Sequence, residues 1–191
     1  MQRFFVLAFL LACVFPSVTN ADELADARTL SSQLVQELGA ALKKEMSAGG
    51  PAQAVTVCRD LAPSIAGELS RSSGARVSRV SLKIRNPALG TPDAWEQAVL
   101  LEFERRLAAG EKAESLEYSE TTTEPAGQYF RYMKALAIQP LCLSCHGSVE
   151  SIPEGVKAEL AAHYPRDQAT GYLPGAIRGA VTIKAPAAGK P

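Results

Sequence analysis

An excess of charge of one sign is the first thing this sequence lacks. Its 20 basic and 20 acidic side chains cancel over 191 residues, which excludes a nucleic-acid binder held by bulk positive charge. No segment has the highly charged, apolar-poor composition of a disordered chain either. Aromatic side chains make up only 6% of the residues. A core must therefore come from Ala, Leu, Val and Ile, or be filled by something the chain does not encode. Histidine is scarcer still, with His146 and His163 alone. Also missing is a run of about 20 apolar residues, the length needed to span a bilayer.

The longest apolar run, Phe4 to Phe15, is too short for that and has a different meaning. Arg3 precedes it, Pro16 follows it, and Thr19 and Ala21 stand in A-x-A spacing. This is the layout of a cleaved secretory signal over residues 1–21, and it implies a periplasmic protein with no transmembrane segment once cleaved. Leu11-Ala12-Cys13 loosely resembles a lipid-attachment box, a second reading that the better cleavage site beyond it disfavours. Removal of the signal leaves roughly 170 residues, a length that suits one domain. It also leaves three cysteines, Cys58, Cys142 and Cys145. An odd number in an exported chain does not make a simple disulfide framework.

Periodicity predicts a helix over residues 22–47, ended by Gly49-Gly50, and a second opened by Pro51 and running past Cys58. Pro63 is expected to kink or restart that helix, and Gly74 to stop it. Val77 to Ile84 reads as a strand. Thr91 is the expected cap of a third helix carrying Trp95, Val99, Phe103 and Leu107. Ser115–Thr123 and Gln128–Leu136 read as a strand pair joined through Thr122 to Gly127. A short helix is predicted from Ser151 to Ala162, a loop from Tyr164 to Gly175 and a closing strand over Gly179–Ile183. Helices lead and strands cluster later, so the expected class is α+β with an antiparallel sheet. The domain organisation is a single unit over residues 22–185, with 186–191 as a flexible tail.

Chemistry concentrates at Cys142-Leu143-Ser144-Cys145-His146. Two thiols three positions apart on one helical turn can add to the two vinyl groups on one edge of a porphyrin. The histidine after the second thiol then reaches the iron. This is the c-type haem attachment pattern, with His146 as proximal ligand. A thioredoxin-like dithiol would need a βαβ setting that the surrounding sequence does not have, and a zinc site would need further ligands. The position opposite His146 is open on this evidence: empty, or filled by His163, Met46, Met133 or Cys58. Cys58 shares an apolar helix face with Ala54, Val57 and Leu61, where a small buried filler is the plain alternative.

The chain also resembles the family of c-type haem proteins with a PAS-like fold, long catalogued as a domain of unknown function. The resemblance rests on Ala54-Val55-Thr56-Val57-Cys58 with Ala62-Pro63-Ser64-Ile65-Ala66, and on Ser81-Leu82-Lys83-Ile84-Arg85-Asn86-Pro87 with Pro92-Asp93-Ala94-Trp95-Glu96. It continues through Arg131-Tyr132-Met133-Lys134, the attachment segment, Tyr164-Pro165-x-Asp167-x-Ala169-x-Gly171-Tyr172 and Arg178-Gly179-Ala180. It implies a PAS-like antiparallel sheet flanked by helices, with N-terminal helices packing on one covalently bound haem c. It also implies iron held by His146 and Cys58. Arg85, Arg131 and Arg178, each beside a strand or turn in these segments, are the expected partners of the haem propionates.

Two function classes follow. One is a single-haem carrier in electron transfer with a separate redox partner protein. The other is a redox or gas sensor, in which Cys58 leaves the iron and a small gas such as CO binds, signalling through a separate partner. A haem enzyme of the peroxidase kind needs distal acid–base groups, and His163 is the one spare histidine, so enzymatic activity is not expected.

Overall fold

The computed structural model describes residues 20–187; the signal segment through residue 19, Cys13 with it, and residues 188–191 of the tail lie outside that range. Among the described residues no helix is long and apolar enough to cross a membrane. The chain opens with helix α1, Asn20–Gln53, broken where expected: Gly50 leaves helical space at φ 77° and Pro51 restarts the turn. A wide π-type turn then spans Val57–Leu61, and the Ala62 N–H donates back to the Val57 carbonyl. Pro63 gives the physical reason. In a continuous α-helix its ring would press on the carbonyl four residues earlier, and one extra residue in the turn removes that clash. Helix α2, Ala62–Ser73, follows and is capped by left-handed Gly74.

Four strands form one antiparallel sheet: β1 (Arg76–Val80), β2 (Glu117–Glu124), β3 (Gly127–Ala137) and β4 (Ile177–Pro186), in the order β1-β4-β3-β2. The architecture is the expected α+β one. Alternation along the strands divides the core in two. On one face Val77, Phe130, Tyr132, Val181 and Ile183 pack under α1 and α2 through Ala27, Leu34 and Leu69. On the other, Val80, Met133 and Ala135 pack against Val99, Leu100 and Phe103 of helix α4, Ala94–Ala108. Phe103, Leu116 and Met133 are fully buried, each worth roughly 1.5–3 kcal/mol in apolar area removed from water.

Several boundaries differ from expectation. β1 ends at Val80 instead of Ile84, because the chain turns at Ser81. Its N–H donates to the Gly90 carbonyl, and its hydroxyl lies 2.7 Å from the Arg178 carbonyl. A one-turn helix α3, Pro87–Gly90, follows on the Asn86 cap. Thr91 does not cap α4, since its hydroxyl donates back to the Pro87 carbonyl at 2.7 Å. Asp93 does so instead, in a reciprocal capping box with Glu96. The β2–β3 connection is tighter than expected, with Glu124 paired to Gly127. The last strand runs on to Pro186, which pairs with Tyr129. Short helices α5 (Leu143–His146) and α6 (Glu154–His163) lie in the β3–β4 connection.

Candidate functional site

A cavity of about 360 Å³ opens beside the free edge of β1, between α2 and the segment leading into α3. Its size is that of a small-molecule site. The α2 wall is made of small residues, Ala62, Pro63, Ala66 and Gly67, whose spacing of four puts them on one helix face. Val77, Val80, Ile84 and Leu136 add an apolar lining. The glycine at Gly179 is required: at φ 155°, a Cβ there would stand 2.3 Å from the Val80 carbonyl oxygen. That close approach holds β4, and Arg178 with it, against the cavity rim.

Cys58 and His146 both line this cavity. Cys58 lies inside the π-type turn, where the extra residue re-aims side chains relative to a regular helix; such turns recur at functional sites. His146 ends α5, and its Nδ1 lies 2.7 Å from the Ala169 carbonyl. A carbonyl can only accept, so Nδ1 carries the hydrogen and Nε2 keeps its lone pair. The Arg178 Nε–H points at that Nε2 from 3.4 Å. Burial, then the positive charges of Arg178 and Arg85, hold the imidazole well below the usual histidine range, so it is neutral. Tyr172 meets the ring edge-on at 6.1 Å between centroids.

The two remaining thiols flank the site without forming its wall. Cys142 packs on Ile138, Ala169 and Tyr172, and Cys145 on Val55, Ile152 and Val156. Both are free thiols, as is Cys58. Burial pushes the Cys145 thiol up to about 11, with Cys58 and Cys142 close enough to add to the effect. Among the described residues, no three His, Cys, Asp or Glu side chains converge to hold a bare metal ion.

Arg85 braces the segment that carries Cys145 and His146. It is 7% exposed, pairs with Asp167 at 2.9 Å, and donates to the carbonyls of Cys145 at 2.6 Å and Ala169 at 3.2 Å. The carbonyl that orients His146 is thus itself held by Arg85. Arg178 donates to Ser81 Oγ at 2.8 Å and to the Lys83 carbonyl at 3.2 Å. Both arginines line the cavity. Arg131 does not. It lies on the opposite sheet face, buried, paired with Asp93 at 2.6 Å, near Glu96, and stacked over Trp95. β3 alternation puts it on the same face as Met133 and Ala135, under α4, so its role is structural.

The other candidates for the position opposite His146 also fall away from the cavity. Met133 is buried in the α4-side core, and Met46 is not among the lining residues. His163 belongs to a surface cluster with Arg59, 2.8 Å from its Nε2, and Glu159. Three contributors were not singled out from sequence: Asp167, Tyr164 and Arg79. Asp167 and Tyr164 sit in the segment 164–172, on which the family resemblance partly rests. Arg79 carried a usable signal, because it is two residues from Val77 and so shares its sheet face.

Comparison with known proteins agrees in fold. The family model described as Tll0287-like matches residues 18–186. Among solved structures, the crystal structure of the cyanobacterial heme-protein Tll0287 is similar at 25% identity and a TM-score of 0.67, over 88% of this chain and 97% of that one. No curated protein matches.

Proposed function

Because this chain belongs to the Tll0287-like family, we propose that it is an exported single-haem protein working in electron transfer. Cys142 and Cys145 would hold haem c through two thioethers, and His146 and Cys58 would ligate its iron. The observation that carries this reading is that Cys58 and His146, from distant parts of the chain, line the same cavity. The lining suits a porphyrin: apolar and small-residue walls for the macrocycle, with cationic side chains on the same lining. The similar heme-protein of known structure supports the same cofactor.

His146 also has the protonation state that such a site requires. The Ala169 carbonyl keeps hydrogen on His146 Nδ1, leaving the Nε2 lone pair for a metal, a common outer partner for a ligating histidine. Arg85 and Asp167 hold that carbonyl and the Cys145 carbonyl in place, so attachment and ligation share one brace. Bound haem supplies a one-electron Fe(III)/Fe(II) couple, and a thiolate ligand favours Fe(III), giving a potential below that of His/Met cytochromes. Export through residues 1–21 fits thiol attachment outside the reducing cytosol. The electron partner is a separate protein.

The test is expression in a host competent for cytochrome maturation. The mature mass should include one covalent haem, with residues 1–21 removed. Cys58→Ser should turn the ferric spectrum high-spin or bring in another ligand, and a ferrous form that ignores CO is expected of a carrier. CO binding on reduction would favour the sensor reading. Colourless protein with free thiols at Cys142 and Cys145 would overturn the proposal.

A further inference from the structure

The cavity lining carries three guanidinium groups, and they are not equivalent. Arg85 has its charge matched by Asp167. Arg178 is held by a hydroxyl, a carbonyl and the His146 ring, and no carboxylate pairs with it among the described residues. Arg79 has neither a hydrogen bond nor an ion pair among them, although it is half-buried and lines the cavity. Side-chain alternation along β1 puts it on the face of Val77, the side covered by α2. It stands near enough to His146, Tyr164 and Arg178 for its charge to bear on all three. Two guanidiniums therefore line one cavity with no carboxylate paired to either among the described residues, although the charge of Asp167, itself paired with Arg85, also bears on Arg178. Such a pair is unfavourable unless the ligand brings negative charge, and two are needed for a ligand with two carboxylates.

We propose that Arg79 is a carboxylate-binding residue of the cavity, pairing with one haem propionate while Arg178 serves the other. This rests on the haem reading above. Arg131, taken from sequence as a propionate partner, has Asp93 and Glu96 instead; Arg79 takes the place assigned to it.

The experiment uses haem-loaded protein matured in a cytochrome-competent host, with Arg79→Gln, Arg79→Lys and the exposed-site control Arg76→Gln. Two readings are taken: the propionate bending bands in resonance Raman spectra, and the midpoint potential. Arg79→Gln should shift the bands towards those of an unpaired propionate. It should also lower the potential, since loss of a nearby positive charge disfavours the less positive reduced iron. Arg79→Lys should retain most of the parent potential, and Arg76→Gln all of it. If Arg79→Gln accumulates too little protein, Arg79→Met keeps the apolar stem and carries the same two readings. Bands and potential unchanged in a variant with full haem would overturn the assignment alone. A parent that matures without haem would remove the reading beneath it as well.

Discussion

Replacing Asp167 with Ala would strip the partner from a nearly buried cation. The Arg85 and Asp167 side chains are 7% and 11% exposed and 2.9 Å apart. Breaking such a pair from one side costs about 3–5 kcal/mol, because the remaining charge stays buried. The Cys145 and Ala169 carbonyls still accept from Arg85, and the cavity beside it admits water, so the lower end, about 3 kcal/mol, is expected. With a urea slope of about 2 kcal/mol/M, the unfolding midpoint should fall by about 1.5 M. Asp167→Asn keeps an oxygen for the Ala169 N–H, now accepted by Oδ1 at 2.8 Å, and loses only the charge. It should cost about 1–2 kcal/mol. A double-mutant cycle with Arg85→Met isolates the coupling, which should exceed about 1 kcal/mol for residues in direct contact. The assay is urea denaturation followed by far-UV circular dichroism on equally loaded proteins. A midpoint for Asp167→Ala within about 0.3 M of the parent would show that Arg85 does not depend on Asp167 for its charge balance.

Two further outcomes test other parts of the structure. Ala66→Leu should lower the covalent haem content measured by intact mass while leaving the helical signal unchanged, because it places about three extra carbons on the small-residue wall formed by α2; equal haem content would mean that this wall does not face the macrocycle. The Glu117 carboxyl, held below its ordinary range first by the Arg28 hydrogen bond and also by the Tyr132 hydroxyl, ties α1 to the sheet, with Arg28 Nε 3.1 Å away. Its folded value lies below its unfolded one, so its contribution is present above about pH 4.5 and is lost as pH falls through the folded value. Acid unfolding of Glu117→Gln should therefore be less steep below pH 4.5, and an identical acid profile would rule that out.

Much of the local structure was legible because it depends on near neighbours in the chain. Gly50-Pro51, Gly74 and the alternating runs of β2 and β3 declare themselves through backbone preference and side-chain period. The misplaced boundaries failed for a specific reason in each case. Thr91 and Asp93 both have capping side chains, and only the reach of the Thr91 hydroxyl to Pro87 decides between them. Residues 81–84 keep a strand-like alternation, yet Ser81 is taken by contacts to Gly90 across the α3 turn and to Arg178, which lies far along the chain.

Cys142-x-x-Cys145-His146 stands in five consecutive residues, so the haem-attachment pattern proposed for it could be read without the fold. The contribution of Cys58 was open from periodicity alone, where a small core residue served equally well. Tertiary structure adds that Cys58, inside the π-type turn, lines the same cavity as His146, which periodicity could not show. The arginines show the same division. Their positive charge is a property of composition, but whether each is matched by a carboxylate depends on which face of the sheet it occupies and what packs there. Arg131 met Asp93 and Glu96 under α4, Arg85 met Asp167, and Arg79 met no anion from the described chain. Short-range chemistry is written in adjacent residues; pairing across long separations exists only once the chain is packed.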